Sequence, residues 1–114
     1  MTPTRVTVAR GEVWEVRFDP SEGDEIRKVR PAVVMDVVAA GRMQLHIVVP
    51  ITGWQPHFKN YFWMVRLAPT AANGLNKDSA ADAFQVKSVS TNRFIRSLGA
   101  LTNFEIHALA SAIA

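Results

Sequence analysis

Between Glu12 and Leu67 apolar residues recur with a period of two or in short unbroken runs, and turn-forming residues stop each run before a helix could form. Such a chain must bury its apolar groups in a sheet. Glu12 to Asp19 sets Trp14, Val16 and Phe18 on one face against Val13, Glu15 and Arg17 on the other, the pattern of a half-buried strand. Asp19-Pro20-Ser21-Glu22-Gly23-Asp24 breaks that pattern and opens a loop that runs to about Val29. A second strand is expected from Pro31 to Val38. Ala39-Ala40-Gly41 leads into a third, Met43 to Val49, which stops at Pro50 or shortly after. Thr52 to Asn60 reads as a loop, and Tyr61 to Leu67 as a fourth strand in which Phe62 and Trp63 are expected to pack in the core or at its edge. Asn73 to Asp78 supplies turn chemistry before a weaker fifth strand, Ser79 to Val86.

The C-terminal end changes period. Thr102 with Glu105 three residues later is a capping-box signature, since each side chain can accept a hydrogen bond from the other's backbone amide. Ile106, Leu109, Ala110 and Ile113 then follow at helical spacing, as a core-facing stripe does. Five strands with short connections and one terminal helix predict a mainly β fold, a small curled sheet or barrel under a C-terminal α-helix. The 114 residues suit one domain spanning 1–114. Alternating βαβ units are absent, which disfavours a doubly wound nucleotide-binding fold.

Composition removes several chemistries. With no cysteine there is no disulfide framework, thiolate metal site or cysteine nucleophile. The glycines stand apart, so no phosphate loop is present, and His46, His57 and His107 lack metal-ligand spacing. His46 is expected on a strand face and His107 on a helix surface; His57, in a loop, is the histidine with scope for a binding role. No signal peptide or membrane span is visible, so a cytoplasmic protein without membrane association is expected. A net charge of +3 favours a polyanionic partner only mildly.

The informative polar residues sit where loops meet strands. If the second and third strands are antiparallel neighbours, their outer ends lie side by side, and Arg30 meets Thr52. An arginine fork matches phosphate oxygens and a threonine adds one more donor. Arg27 and Lys28 add charge beside Arg30. Trp54, Phe58 and Tyr61 could stack unpaired bases, although the same rings could simply be packing groups.

Three stretches then carry a resemblance: RGEVWEVRFDPSEGDEIRKVRPAVVM, VVPIT and NGLNKDSAADAFQVKSV. In order and spacing they closely resemble the MazF/PemK toxin family over Arg10 to Ala114. The resemblance implies an SH3-like barrel with a C-terminal helix, a homodimer, and an endoribonuclease that cuts single-stranded RNA at short sequences without metal or other cofactor. It implies a partner antitoxin whose acidic, flexible tail blocks the RNA groove. By resemblance Arg30 and Thr52 are catalytic and Glu25 is a base or an orienter of Arg30, while Gln85 matches the family's glutamine. Arg27, Lys28, Trp54, His57, Phe58, Lys59 and Gln85 are then the expected RNA contacts. Cleavage would use the RNA's own 2′-hydroxyl and leave a 2′,3′-cyclic phosphate and a 5′-hydroxyl.

Two departures stand out. Asp24-Glu25-Ile26 replaces the family's usual S-E-Q, and Asp82 and Phe84 occupy positions where some members carry arginine and aspartate. The first loses the glutamine's contact and gives weight to a module that does not cut; the second places more of the chemistry on Arg30 and Thr52. Two other functions fit the same fold: a non-enzymatic gyrase poison like the related CcdB toxins, and a module that holds RNA or antitoxin without cutting.

Overall fold

The computed structural model of the chain describes residues 7–18, 28–36 and 45–114. The strands are β1 (Glu12–Phe18), β2 (Lys28–Val34), β3 (Leu45–Gly53), β4 (Met64–Leu67), β5 (Ser79–Asp82), β6 (Lys87–Ser90) and β7 (Phe94–Ala100), followed by helix α1 (Asn103–Ile113). Single 3-10 turns cover Pro56–Asn60, Ala83–Gln85 and Thr91–Arg93. All seven strands pair antiparallel in the order β4-β5-β3-β2-β1-β7, with β6 also on β3. This is the expected curled sheet with a C-terminal helix, open between β4 and β7 rather than closed by strand pairing.

Among the described residues seven strands replace the five expected, for local reasons. The fifth strand ends at Asp82 because its carboxylate accepts the Phe84 amide at 3.1 Å and caps a 3-10 turn. Lys87 to Ser90 then forms β6 as a separate strand. The sequence reading missed β7 altogether. Its pairing with β1 carries two register irregularities, and its burial is confined largely to Phe94 at its start, so the alternation is lost. The fourth strand begins at Met64 instead of Tyr61. The second strand runs from Lys28 to Val34 where Pro31 to Val38 was expected, and the part of the third expected before Leu45 lies outside the described residues.

Strand β3 organises the sheet. One edge pairs with β2 through Val34↔Val48, Val33↔Val49 and Ala32↔Pro50. The other edge pairs first with β6, up to Val48, and then with β5 from Ile51. The amide of Met35 donates to the Ile47 carbonyl at 2.8 Å, so in this alternating ladder Ala32 and Pro50 form a non-hydrogen-bonded pair. The nitrogen of Pro50 therefore faces the opposite edge, at the gap where β6 gives way to β5. A missing donor costs least there, so β3 continues past the proline to Gly53. Thr52 is consequently inside a strand, not at the start of a loop.

Both faces of the sheet are covered. Val13, Val33, Val49 and Ile51 face a core shared with Met35, Leu67, Leu101 and Leu109; Trp14, Val16, Ala32, Val34 and Val48 face a second with Val89 and Phe94. β1 is thus buried on both sides over Val13 to Val16, where the sequence suggested half burial. Helix α1 closes the first core with Leu109, fully buried and contributing about 2 kcal/mol by area. Its capping box is present, with Glu105 N to Thr102 Oγ1 at 3.1 Å and Thr102 N to Glu105 Oε1 at 2.9 Å. Ile113, expected in the apolar stripe, is instead exposed at the helix end.

Two buried polar residues, His46 and Asn73, anchor hydrogen-bonded contacts. The Asp36 carboxylate contacts His46 Nδ1 at 2.6 Å and accepts the Ile47 amide at 2.8 Å, which confirms His46 as a strand-face residue. Asn73, 1% exposed, accepts from the amides of Thr70 and Leu75 and donates to the Ala68 carbonyl. This holds the β4–β5 connection in one shape. Gly74 adopts φ +70°, and a Cβ there would stand 2.1 Å from the Leu98 carbonyl oxygen. With Ala100 N bonded to Ala72 O at 2.9 Å, the connection spans the gap between the sheet's two edges.

Candidate active site

The site lies where the β2–β3 ladder ends. The register sums to a constant, Ala32 with Pro50 and Val33 with Val49, and continued two positions past the last pair it would set Arg30 opposite Thr52. Pro31 has no amide hydrogen to give to Ile51, and the ladder stops there. Arg30 and Thr52 would form a non-hydrogen-bonded pair, the kind whose side chains approach most closely. Both are partly exposed.

A row of residues crosses the sheet at this level. Phe94 and Val16 are paired at its buried end, Val16 pairs with Arg30, and beyond Thr52 come Ala80 and Arg66. Directly opposed residues share a face. Arg30, Thr52 and Arg66 therefore stand on the face whose other end is the second core, and Ala80 leaves a low floor between Thr52 and Arg66. The apolar end anchors the backbone of Arg30, which frees its charge for the open end.

Above Thr52 an aromatic wall rises. The Trp54 amide donates to the Asp78 carbonyl at 3.0 Å, continuing the β3–β5 ladder. Trp54 and Phe58 meet edge to face at 5.7 Å, Phe58 meets His57 at 4.7 Å, and His57 meets Tyr61 at 5.9 Å. Tyr61 stacks on Trp63 at 4.8 Å. His57, Phe58 and Lys59 lie on the 3-10 turn Pro56–Asn60 rather than in irregular loop. Trp63 packs against the first core as expected, whereas Phe62 is 76% exposed, because the chain here has not yet entered β4.

The remaining candidates separate. Gln85 is exposed on the 3-10 turn that packs against β3 between β5 and β6. Lys28 opens β2, and only its backbone is described. Glu25 and Arg27 lie outside the described residues. The sequence reading missed Lys87, whose ammonium sits 5.1 Å from the centroid of the Phe18 ring, and Lys77, whose ammonium ends beside Gly53. It also missed Arg66. The Arg66 guanidinium lies 4.9 Å from the Trp54 ring centroid and donates to both oxygens of Asp78, at 3.2 and 2.5 Å. The only signals for it were its place in a predicted strand and the Asp78 of the KDSAA stretch.

Hydrogen bonding to Arg66 holds the Asp78 carboxyl below its ordinary range; desolvation opposes this, and the charge of Arg66 adds a smaller lowering. The same hydrogen bonds raise Arg66. At neutral pH the pair is therefore fully ionised.

The chain is similar to proteins of known kind. Residues 9–114 match the PemK-like, MazF-like toxin family of type II toxin-antitoxin systems. Endoribonuclease MazF9 of Mycobacterium tuberculosis is 34% identical over 110 residues, covering 91% of each chain. The crystal structure of MazE-MazF (Form-II) from Deinococcus radiodurans superposes with a TM-score of 0.76 at 21% identity, over 96% of this chain and 94% of that one. Mycobacterium tuberculosis toxin MazF-mt6 does so at 0.70 and 23%, over 90% and 91%. The chain belongs to the PemK-like, MazF-like toxins of type II toxin-antitoxin systems, and its class is that of the MazF endoribonucleases.

The ion pair makes a pH-dependent signature. Because the folded-state value of Asp78 is lowered, the pairing is fully present above about pH 4 and is lost only as pH falls through that lowered value. A carboxyl NMR titration should place the Asp78 midpoint below that of an ordinary aspartate, and Arg66→Ala should move it back up. A midpoint that Arg66→Ala leaves in place would show the contact to be absent in solution.

Proposed function

We propose that this toxin is a sequence-specific, metal-independent endoribonuclease that cuts single-stranded mRNA in the cytoplasm, as one domain of residues 1–114. The observation that supports this reading is the β2–β3 register, whose continuation past Ala32–Pro50 would bring Arg30 and Thr52 together beside an aromatic wall.

The reaction suits those groups. The 2′-hydroxyl attacks the adjacent phosphorus, its proton passes to a base, the P–O5′ bond breaks, and the leaving 5′ oxygen takes a proton. The products are a 2′,3′-cyclic phosphate and a 5′-hydroxyl. Negative charge builds on the non-bridging oxygens at the transition state, and a fixed guanidinium stabilises it best there. Arg30 takes that part, since an arginine stays protonated and is a poor base. Thr52 donates to a non-bridging oxygen. Glu25 serves as the base or holds Arg30 in place. Trp54, Phe58 and His57 seat bases, while Arg27, Lys28, Lys59 and Gln85 contact the strand. The nucleophile comes from the RNA, so the reaction itself requires no metal.

The partner is an antitoxin. The Deinococcus radiodurans relative was solved as MazE-MazF, and an acidic, flexible antitoxin tail would compete with RNA for Arg30. The toxin itself acts as a homodimer. Phe62 and Phe84, 76% and 79% exposed, flank Trp63 near the open β4 edge, an apolar surface suited to a second copy. Light scattering should return the mass of two chains; the mass of one at every concentration would contradict this.

Purified protein incubated with a long mixed RNA in EDTA should yield defined fragments ending in cyclic phosphate. Arg30→Ala should slow cleavage by about 10²- to 10³-fold, as loss of a transition-state donor does, and Thr52→Ala by about tenfold or more. Intact RNA, with inhibition of gyrase supercoiling instead, would favour the CcdB-like alternative; RNA bound but uncut would favour the non-cutting module.

A further inference from the structure

Arg66 is clamped more firmly than an exposed arginine needs to be. Asp78 takes two of its donors at 3.2 and 2.5 Å, and the Trp54 ring lies 4.9 Å from its guanidinium carbon. Each support is fixed in turn. Trp54 is braced edge-on by Phe58, and the Asp78 carbonyl accepts the Trp54 amide. At a solvent-exposed position neither an ion pair nor a cation–π contact does much for stability. What the clamp produces is a flat, preoriented surface, and the Arg66 side chain remains 59% exposed.

The position of that surface is defined by the ladder. Arg66 pairs with Ala80 and Ala80 with Thr52, so Arg66 stands two strand spacings, about 10 Å, from Thr52 on the same face. Ala80 places nothing tall between them. An extended single strand whose phosphate meets Thr52 brings a neighbouring base over Arg66. Because Asp78 offsets its charge, Arg66 offers such a base planar area in preference to net attraction for phosphate.

We propose that Arg66, held by Trp54 and Asp78, is a stacking platform for the base next to the scissile phosphate, and that it favours a purine there. This rests on the ribonuclease reading. Arginine planes stack on unpaired bases, and the larger rings of a purine cover more of the plane.

The test uses the intact protein and an RNA spanning a mapped cut site, made uncleavable by 2′-O-methylation at that site. Arg66→Lys keeps the charge and loses the plane. It should weaken binding about tenfold and level the preference between purine and pyrimidine at the adjoining position. Trp54→Leu should do the same, and the double variant should be little weaker than either. The slope of affinity against salt should stay as in wild type, because no phosphate contact is lost. Arg66→Lys binding like wild type, or Arg66→Ala lowering the salt slope by about one phosphate, overturns the stacking role while cleavage by wild type leaves the ribonuclease reading intact. A wild-type protein that neither binds nor cuts RNA overturns both.

Discussion

The register between β2 and β3 is the constraint on which the rest depends. It is fixed by burial on both faces: Val33 and Val49 point into one core, Ala32, Val34 and Val48 into the other. A slip of one residue would drive each set into the other, differently packed core and set the ringed nitrogen of Pro50 where the β2–β3 ladder needs a donor. The same slip would carry Arg30 away from Thr52. Packing several residues from the polar end therefore decides which side chains meet there, and the site inherits its precision from the core.

Two prolines make that end usable. Pro50 lies where β3 changes partners, so the strand passes through it and delivers Thr52 in regular geometry. Pro31 stops the β2–β3 ladder just short of Arg30, while β2 stays paired with β1 as far as Lys28↔Phe18 and β3 with β5 as far as Gly53↔Ser79. The β4–β5 connection, pinned by Asn73 and pressed against β7 at Gly74, then places Asp78 and with it the orientation of Arg66. The features around Thr52 thus come from β2, β3, β4 and the approach to β5, each held by contacts elsewhere in the molecule.

Much of this was legible in the sequence, because it is local. The alternation of β1, the apolar run of β2, the Asn73–Asp78 turn and the Thr102–Glu105 box each depend on residues a few positions apart. The antiparallel meeting of the second and third strands followed from their short connection. What escaped was non-local. β7 is irregular and exposed along much of its length, so nothing in FIRSLGA marks it until β1 is beside it. Pro50 reads as a terminator until two successive partners are seen on one edge. Arg66 and Asp78 are twelve residues apart and pair only through the β4–β5 hairpin. Phe62 reads as a core residue by type, and its exposure reflects a strand that starts later than its aromatic composition suggests.

If Arg30 and Thr52 serve one phosphate, their effects on catalysis are not independent. The direct measurement is a double-mutant cycle on single-turnover RNA cleavage, with Arg30→Ala, Thr52→Ala and the double variant compared with wild type. The expected result is strong coupling: once Arg30 is removed, losing Thr52 as well slows cleavage far less than it does in the wild-type protein. Rate losses that simply multiply would contradict a shared phosphate, and with it the functional meaning given to the β2–β3 register.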